Sequence, residues 1–79
     1  MRVLFFAHLK DVTGQSETEL ALGPSVDTAG LWRGLVAAHP GLEKFRGSVR
    51  VARNSEYVGA DATFADGDEV ALIPPVSGG

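Results

Sequence analysis

The chain has 79 residues, enough for one compact domain, and its 44% hydrophobic and 22% charged content is that of a globular fold. A formal charge of −3, with seven Lys and Arg against ten Asp and Glu, gives no electrostatic footprint for nucleic acid. There is no cysteine, which excludes disulfides, a zinc-thiolate site and a cysteine nucleophile, and no run approaches the roughly 20 apolar residues of a membrane span.

In chain order, Val3 to Ala7 is a short apolar run with an aromatic pair, the signature of a buried strand. His8 to Val12 suits one helical turn, stopped by Gly14. Glu17-Thr18-Glu19-Leu20-Ala21-Leu22 alternates polar and apolar and predicts a second strand with Thr18, Leu20 and Leu22 on one face, ended by Gly23-Pro24. Asp27 or Thr28 offers an N-cap oxygen for a helix. Leu31, Leu35 and Ala38 then recur at helical spacing, widened by Trp32 and Val36. Gly30 and Gly34 each cost such a helix about 1 kcal/mol relative to Ala, so it must be held by packing against a sheet. Pro40-Gly41 breaks it, and Leu42 and Phe45 continue the stripe on a short further turn.

Val49-Arg50-Val51-Ala52 predicts a third strand, Arg53 to Glu56 a turn, and Tyr57-Val58 the returning arm. Asp66-Gly67 is another turn signal, and Glu69 to Ile73 is the last strand. Pro74-Pro75 closes it, since neither has an N–H for a sheet ladder. One amphipathic helix among several strands implies a two-layer α+β sandwich. If the first and last strands lie side by side at the sheet centre, the arrangement is a β-grasp; periodicity alone leaves this open. The reading is a folded unit over residues 1–75 and a flexible tail over 76–79.

That tail holds the one constellation with chemistry. The prolines stiffen the exit from the sheet, and the four residues beyond them reach roughly 14 Å at about 3.5 Å each. Gly78 and Gly79 lack a Cβ, so they fit a narrow slot and leave the terminal carboxylate unhindered. A carboxylate does not react with nucleophiles at neutral pH because oxide leaves poorly; as an acyl-adenylate it can, because AMP leaves well. Sulfur replacing AMP gives a thiocarboxylate, a carrier of reactive sulfur that needs no cysteine. Gly-Gly by itself is more often a mere frayed chain end, and its place behind an apolar strand and two prolines is what argues for a working tail.

The other chemistry-bearing side chains read as structural. His8 and His39 have no acid, serine or cysteine motif around them, and nothing resembles a self-contained hydrolase. Asp66, Asp68 and Glu69 lack the ligand spacing of a calcium loop and read as a solvated turn. Trp32 and Phe45 read as core. No metal site is expected.

Phe5-Phe6-Ala7, Asn54, Asp66-Gly67-Asp68-Glu69-Val70 and above all Pro74-Pro75-Val76-Ser77-Gly78-Gly79 resemble the small subunit of molybdopterin synthase, a ubiquitin-like sulfur carrier. The resemblance spans essentially the whole chain. It implies a β-grasp (ubiquitin-like) fold, with a mixed sheet packed by one main helix. It implies that an E1-like adenylating enzyme activates Gly79 with ATP and that a sulfur donor converts it to a thiocarboxylate. The tail then enters the large catalytic subunit, which builds the dithiolene of molybdopterin, in a complex of two small and two large subunits. The chain itself binds no cofactor, and no nucleic acid or membrane is involved. By position, Phe6, Tyr57 and Ile73 match the family's apolar partner contacts, Tyr57 and Ile73 with a changed residue type; read as residues alone, each is equally a core side chain or part of an exposed patch beside the tail. The location expected is cytoplasmic. Two alternatives stand beside this: a carrier of the same kind serving thiamine, cysteine or tRNA thiolation or tagging lysines, and an interaction module whose tail does nothing covalent.

Overall fold

The computed structural model describes residues 1–75. The first strand, β1 (Arg2–Phe5), leads into a short helix, α1 (Leu9–Thr13), which ends where Gly14 takes a left-handed φ of 77° and its N–H closes on Lys10 O. β2 (Glu17–Glu19) returns antiparallel to β1, with Val3 opposite Thr18. A small strand, β3 (Ser25–Asp27), precedes the main helix, α2 (Thr28–Ala38), and a 3-10 turn, Pro40–Phe45, follows it. The chain then makes β4 (Arg50–Arg53), β5 (Glu56–Tyr57), β6 (Thr63–Ala65) and β7 (Glu69–Ile73).

Five strands form one sheet in the order β2-β1-β7-β4-β5, and β3 pairs with β6 in a separate two-stranded sheet. β1 and β7 run parallel, Val3 opposite Val70 and Phe5 opposite Leu72, while their outer neighbours run antiparallel. The first and last strands therefore lie together in a mixed sheet, which meets the condition for a β-grasp. Because side chains alternate along a strand, Val3, Phe5, Val70 and Leu72 share one face. All four are buried against Leu31, Trp32 and Leu35 of α2, with Leu9, Leu42 and Phe64 closing the rim.

Helix α2 begins where Asp27 Oδ1 accepts from Gly30 N at 2.8 Å, a cap worth about 1 kcal/mol. The helical glycine at 34 has a packing reason: a Cβ there would lie inside contact distance of Leu22 Cδ2. The propensity lost at Gly34 is exchanged for close approach of the helix to the segment before β3.

Several bounds differ from the sequence reading. The second strand spans Glu17–Glu19, Leu20 still exchanges backbone hydrogen bonds with Met1 at 2.8 and 3.0 Å, and Leu20 and Leu22 pack on the core. Gly23, at φ 92°, then turns the chain into β3. Strands β3 and β6 were not anticipated; each is three residues long with one large apolar side chain, Val26 or Phe64, too little alternation to register. Among the described residues, no helix is long and apolar enough to cross a membrane.

The turn between β4 and β5 and the turn before β7 are locked together. Asn54 and Ser55 both have positive φ, 49° and 75°, as a two-residue type I′ hairpin turn demands. Asn54 Nδ2 donates to Asp68 Oδ1 at 3.1 Å, and Asn54 Oδ1 accepts from Glu69 N at 3.0 Å. Asp68 Oδ2 accepts from Ala65 N at 2.8 Å. Both carboxylate oxygens of Asp68 are thus engaged, which makes the acidic turn a structural staple. The Ala65 N–H, and after it the Asn54 amide, hold the Asp68 carboxyl below its ordinary pKa. A lowered folded-state pKa stabilises the fold fully above the unfolded value near 4, and the contribution is lost as pH falls through the lower folded value. Asp68→Asn is expected to lower stability at neutral pH and to flatten the loss of stability below about pH 4, read by urea unfolding across pH. An acid limb as steep as that of the unsubstituted chain would show that Asp68 does not drive it.

Candidate functional site

The face of the sheet turned away from α2 is formed by the alternate residues. Register places Leu4 opposite Ala71, Ala71 opposite Ala52, and Ala52 opposite Tyr57, a row that crosses β1, β7, β4 and β5. Two of the four are alanines, so the middle of the row is low. Phe6 and Ile73 flank it on one side, Ser55 and Glu69 on the other, and a groove of about 260 Å³ results.

Phe6 follows the last paired residue of β1, and Ala7 after it has a φ of 52°, a left-handed backbone for a residue with a Cβ, costing about 1–2 kcal/mol. The two adjacent phenylalanines take opposite fates: Phe5 is 2% exposed and Phe6 is 45% exposed. Tyr57 is 59% exposed, and these two are the exposed large hydrophobic residues among those described. Arg50, opposite Ile73, stacks its guanidinium 4.3 Å from the centre of the Tyr57 ring. At the other end of the face, Arg2 lies between Glu17 at 3.4 Å and Glu69 at 3.1 Å. The surface is thus apolar in the middle, net acidic at one end, where two carboxylates meet one guanidinium, and cationic at the other.

Phe6, Tyr57 and Ile73 therefore line one groove, at the end of β7 from which the tail departs. Pro74 is buried and Pro75 exposed. Val76, Ser77, Gly78 and Gly79 lie outside the described residues. Residue-level reading missed Leu4, Ala52, Ala71 and Arg50. Their alternation was visible in the strands, but which alanines meet across the sheet depends on register, which no strand states by itself. His8 and His39 stand apart from the groove: His8 is the N-cap of α1, its ring 5.2 Å from that of Phe45, and His39 is the C-cap of α2, edge-on to Phe5 at 5.6 Å. Trp32 is buried. Two slightly larger hollows lie beside it, of about 300 and 270 Å³, but neither is lined by an exposed aromatic.

Residues 3–79 match the ThiS family. The chain belongs to that family. The molybdopterin synthase sulfur carrier subunit of Chlamydomonas reinhardtii is 42% identical, with all of this chain aligned to 98% of that one. Among solved structures, the small archaeal modifier protein SAMP1 of Haloferax volcanii superposes with a TM-score of 0.87 at 33% identity, covering 100% of this chain and 98% of that one. A complex of subunits 1 and 2 of the molybdopterin-converting factor of Helicobacter pylori contains a chain similar at a TM-score of 0.66 and 28% identity, covering 99% of this chain and 96% of that one. The likeness to molybdopterin synthase small subunits and the ubiquitin-like fold, both expected from the sequence, stand.

The contrast between Phe5 and Phe6 is directly measurable. Phe5→Ala is expected to cost about 3–5 kcal/mol in urea unfolding, and Phe6→Ala less than about 1 kcal/mol. Equal costs would mean that Phe6 is a core residue and the groove a packing fault.

Proposed function

We propose that the chain is the sulfur carrier subunit of a molybdopterin synthase. The observation that carries this reading is the end-to-end similarity to such subunits, at 42% identity for the Chlamydomonas reinhardtii protein. The exposed aromatic groove at the root of a Gly-Gly tail supports it. In this reading an E1-like enzyme brings ATP to Gly79. The carboxylate attacks the α-phosphorus, pyrophosphate leaves, and an acyl-adenylate forms. Hydrosulfide supplied by a sulfur donor attacks the acyl carbon, AMP leaves, a proton is released, and the terminus becomes a thiocarboxylate. The large subunit takes the tail and transfers that sulfur into the dithiolene of molybdopterin.

The role of this chain's own residues follows from the energetics. Covering the exposed parts of Phe6 and Tyr57 removes on the order of 200 Å² of apolar surface, worth about 5 kcal/mol. That is about what association itself costs in lost freedom, roughly 4–15 kcal/mol. The groove alone is therefore a weak handle, and burial of the tail must supply much of the remainder. Such a division suits a carrier, which has to leave one partner for the next. Pro74 and Pro75 cannot extend the ladder, so pairing ends at Ile73, beside the groove. Holding the tail there pre-organises the reacting carbon, as positioning does in any effectively intramolecular step.

The likeness to SAMP1 favours one second reading, in which the same activated terminus is passed to a lysine amine as a protein tag. Incubation with ATP, the adenylating enzyme and a sulfur donor, followed by intact-mass measurement, separates the two. Replacement of one terminal oxygen by sulfur is expected; isopeptide conjugates in its place would favour the tag. Deleting Gly79 or adding a residue after it is expected to abolish sulfur transfer while leaving the melting temperature unchanged. Full synthase activity from the extended chain would count decisively against the carrier.

A further inference from the structure

We propose that an arginine-lined cleft beside Trp32 is a second contact surface, which receives an acidic segment of the large synthase subunit. This rests on the carrier reading above. The cleft consists of two adjoining hollows, of about 300 and 270 Å³, that share Trp32 and Arg46 as lining residues. Arg50 lines the first and Arg33 the second. Three of the chain's seven basic residues thus gather on one surface of a protein whose net charge is −3. Glu43 is the one acid among the described residues that line either hollow. Arg33, Arg46 and Arg50 form no ion pair with any described residue, whereas Arg2 is held by two carboxylates.

Charge and continuity identify the occupant. An apolar peptide would leave three guanidinium groups without a counter-charge, so the complementary surface is acidic. The cleft is also continuous with the apolar groove. β4 contributes Arg50 and Val51 to the cleft and Ala52 to the groove, and the Arg50 guanidinium stacks on Tyr57 at the groove's edge. A partner seated over Phe6 and Tyr57 that continues past the β5 edge meets Arg50 first and Arg46 and Arg33 beyond it. Because these cations sit at the rim of the contact and not in its core, their effect falls on the association rate and its salt dependence.

The test measures association and dissociation rates between the full chain and the large synthase subunit of the same organism. It compares the unsubstituted chain, Arg33→Glu/Arg46→Glu, Arg33→Lys/Arg46→Lys and Phe6→Ala. At about 50 mM salt the glutamate pair is expected to associate on the order of tenfold more slowly, with a flatter salt dependence and little change in dissociation. The lysine pair is expected to associate at close to the original rate, and all variants to keep the melting temperature. Phe6→Ala is expected to dissociate faster. An association rate for the glutamate pair within about twofold of the original overturns the cleft, as does a lysine pair as slow as the glutamate pair. No binding by the unsubstituted chain would sink the carrier reading and this inference with it. Intact binding with an unmoved glutamate pair removes the cleft alone.

Discussion

The parallel pairing of β1 with β7 is the interaction on which the rest of the structure depends. It joins residues separated by nearly the whole chain, Arg2 with Glu69 through Phe5 with Leu72. Such a contact closes the largest loop the chain can make, and loop entropy grows only slowly with length, so a few well-buried side chains offset it. Val3, Phe5, Val70 and Leu72 are those side chains, each 2% exposed or less. The same pairing has a consequence on the opposite face. It sets Leu4 beside Ala71, and it puts the end of β1, where Phe6 turns outward, next to the end of β7, where the tail leaves. Core and groove are the two sides of a single ladder.

That coupling explains how much could be read beforehand. Strands β1 and β7 are largely apolar runs, β4 follows Val49 with Val51 and Ala52 between arginines, and α2 carries a clear apolar stripe behind an Asp cap, so the sequence marks them locally. The sandwich follows because one stripe needs one sheet. What the sequence withheld is whatever depends on pairing. Strands β3 and β6 exist because they find one another, with Val26 opposite Phe64, and neither has enough pattern to stand out alone. Leu20 and Leu22 have the alternation of a strand, yet the pairing runs out at Leu20, whose backbone bonds to Met1. Phe5-Phe6 was the most informative local signal for the groove: adjacent residues of a strand point to opposite faces, so one of two phenylalanines had to be displaced from the core.

The groove itself is a consequence of small side chains. Ala52 and Ala71 lie opposite one another at its floor, where branched residues would fill the hollow and pack for stability. A five-stranded sheet covered by a helix on one side alone must do something with its other side. Here that side is kept apolar in the middle, left net acidic by Glu17 and Glu69 around Arg2 at one end, and made cationic by Arg50 at the other. Exposed pairs such as these contribute little to stability, so their placement bears more on who approaches the surface than on how firmly it holds.

In the proposed carrier reading, a reactive group at the chain end separates two demands that most binding proteins must meet at once. Recognition in that reading falls to the sheet, where strand register fixes Phe6, Tyr57 and Ile73 relative to one another. Chemistry in that reading falls to residues beyond the two prolines, where no side chain of the folded body has to be tuned to an unusual pKa or held under strain. Strain appears instead at Ala7, whose left-handed backbone directly follows the outward-turned Phe6. A fold spends such strain where the surrounding structure over-determines a conformation, and those places concentrate at functional surfaces. Its position beside the groove and not in the core is therefore an independent reason, drawn from the backbone alone, to regard that face as the one the molecule presents to others.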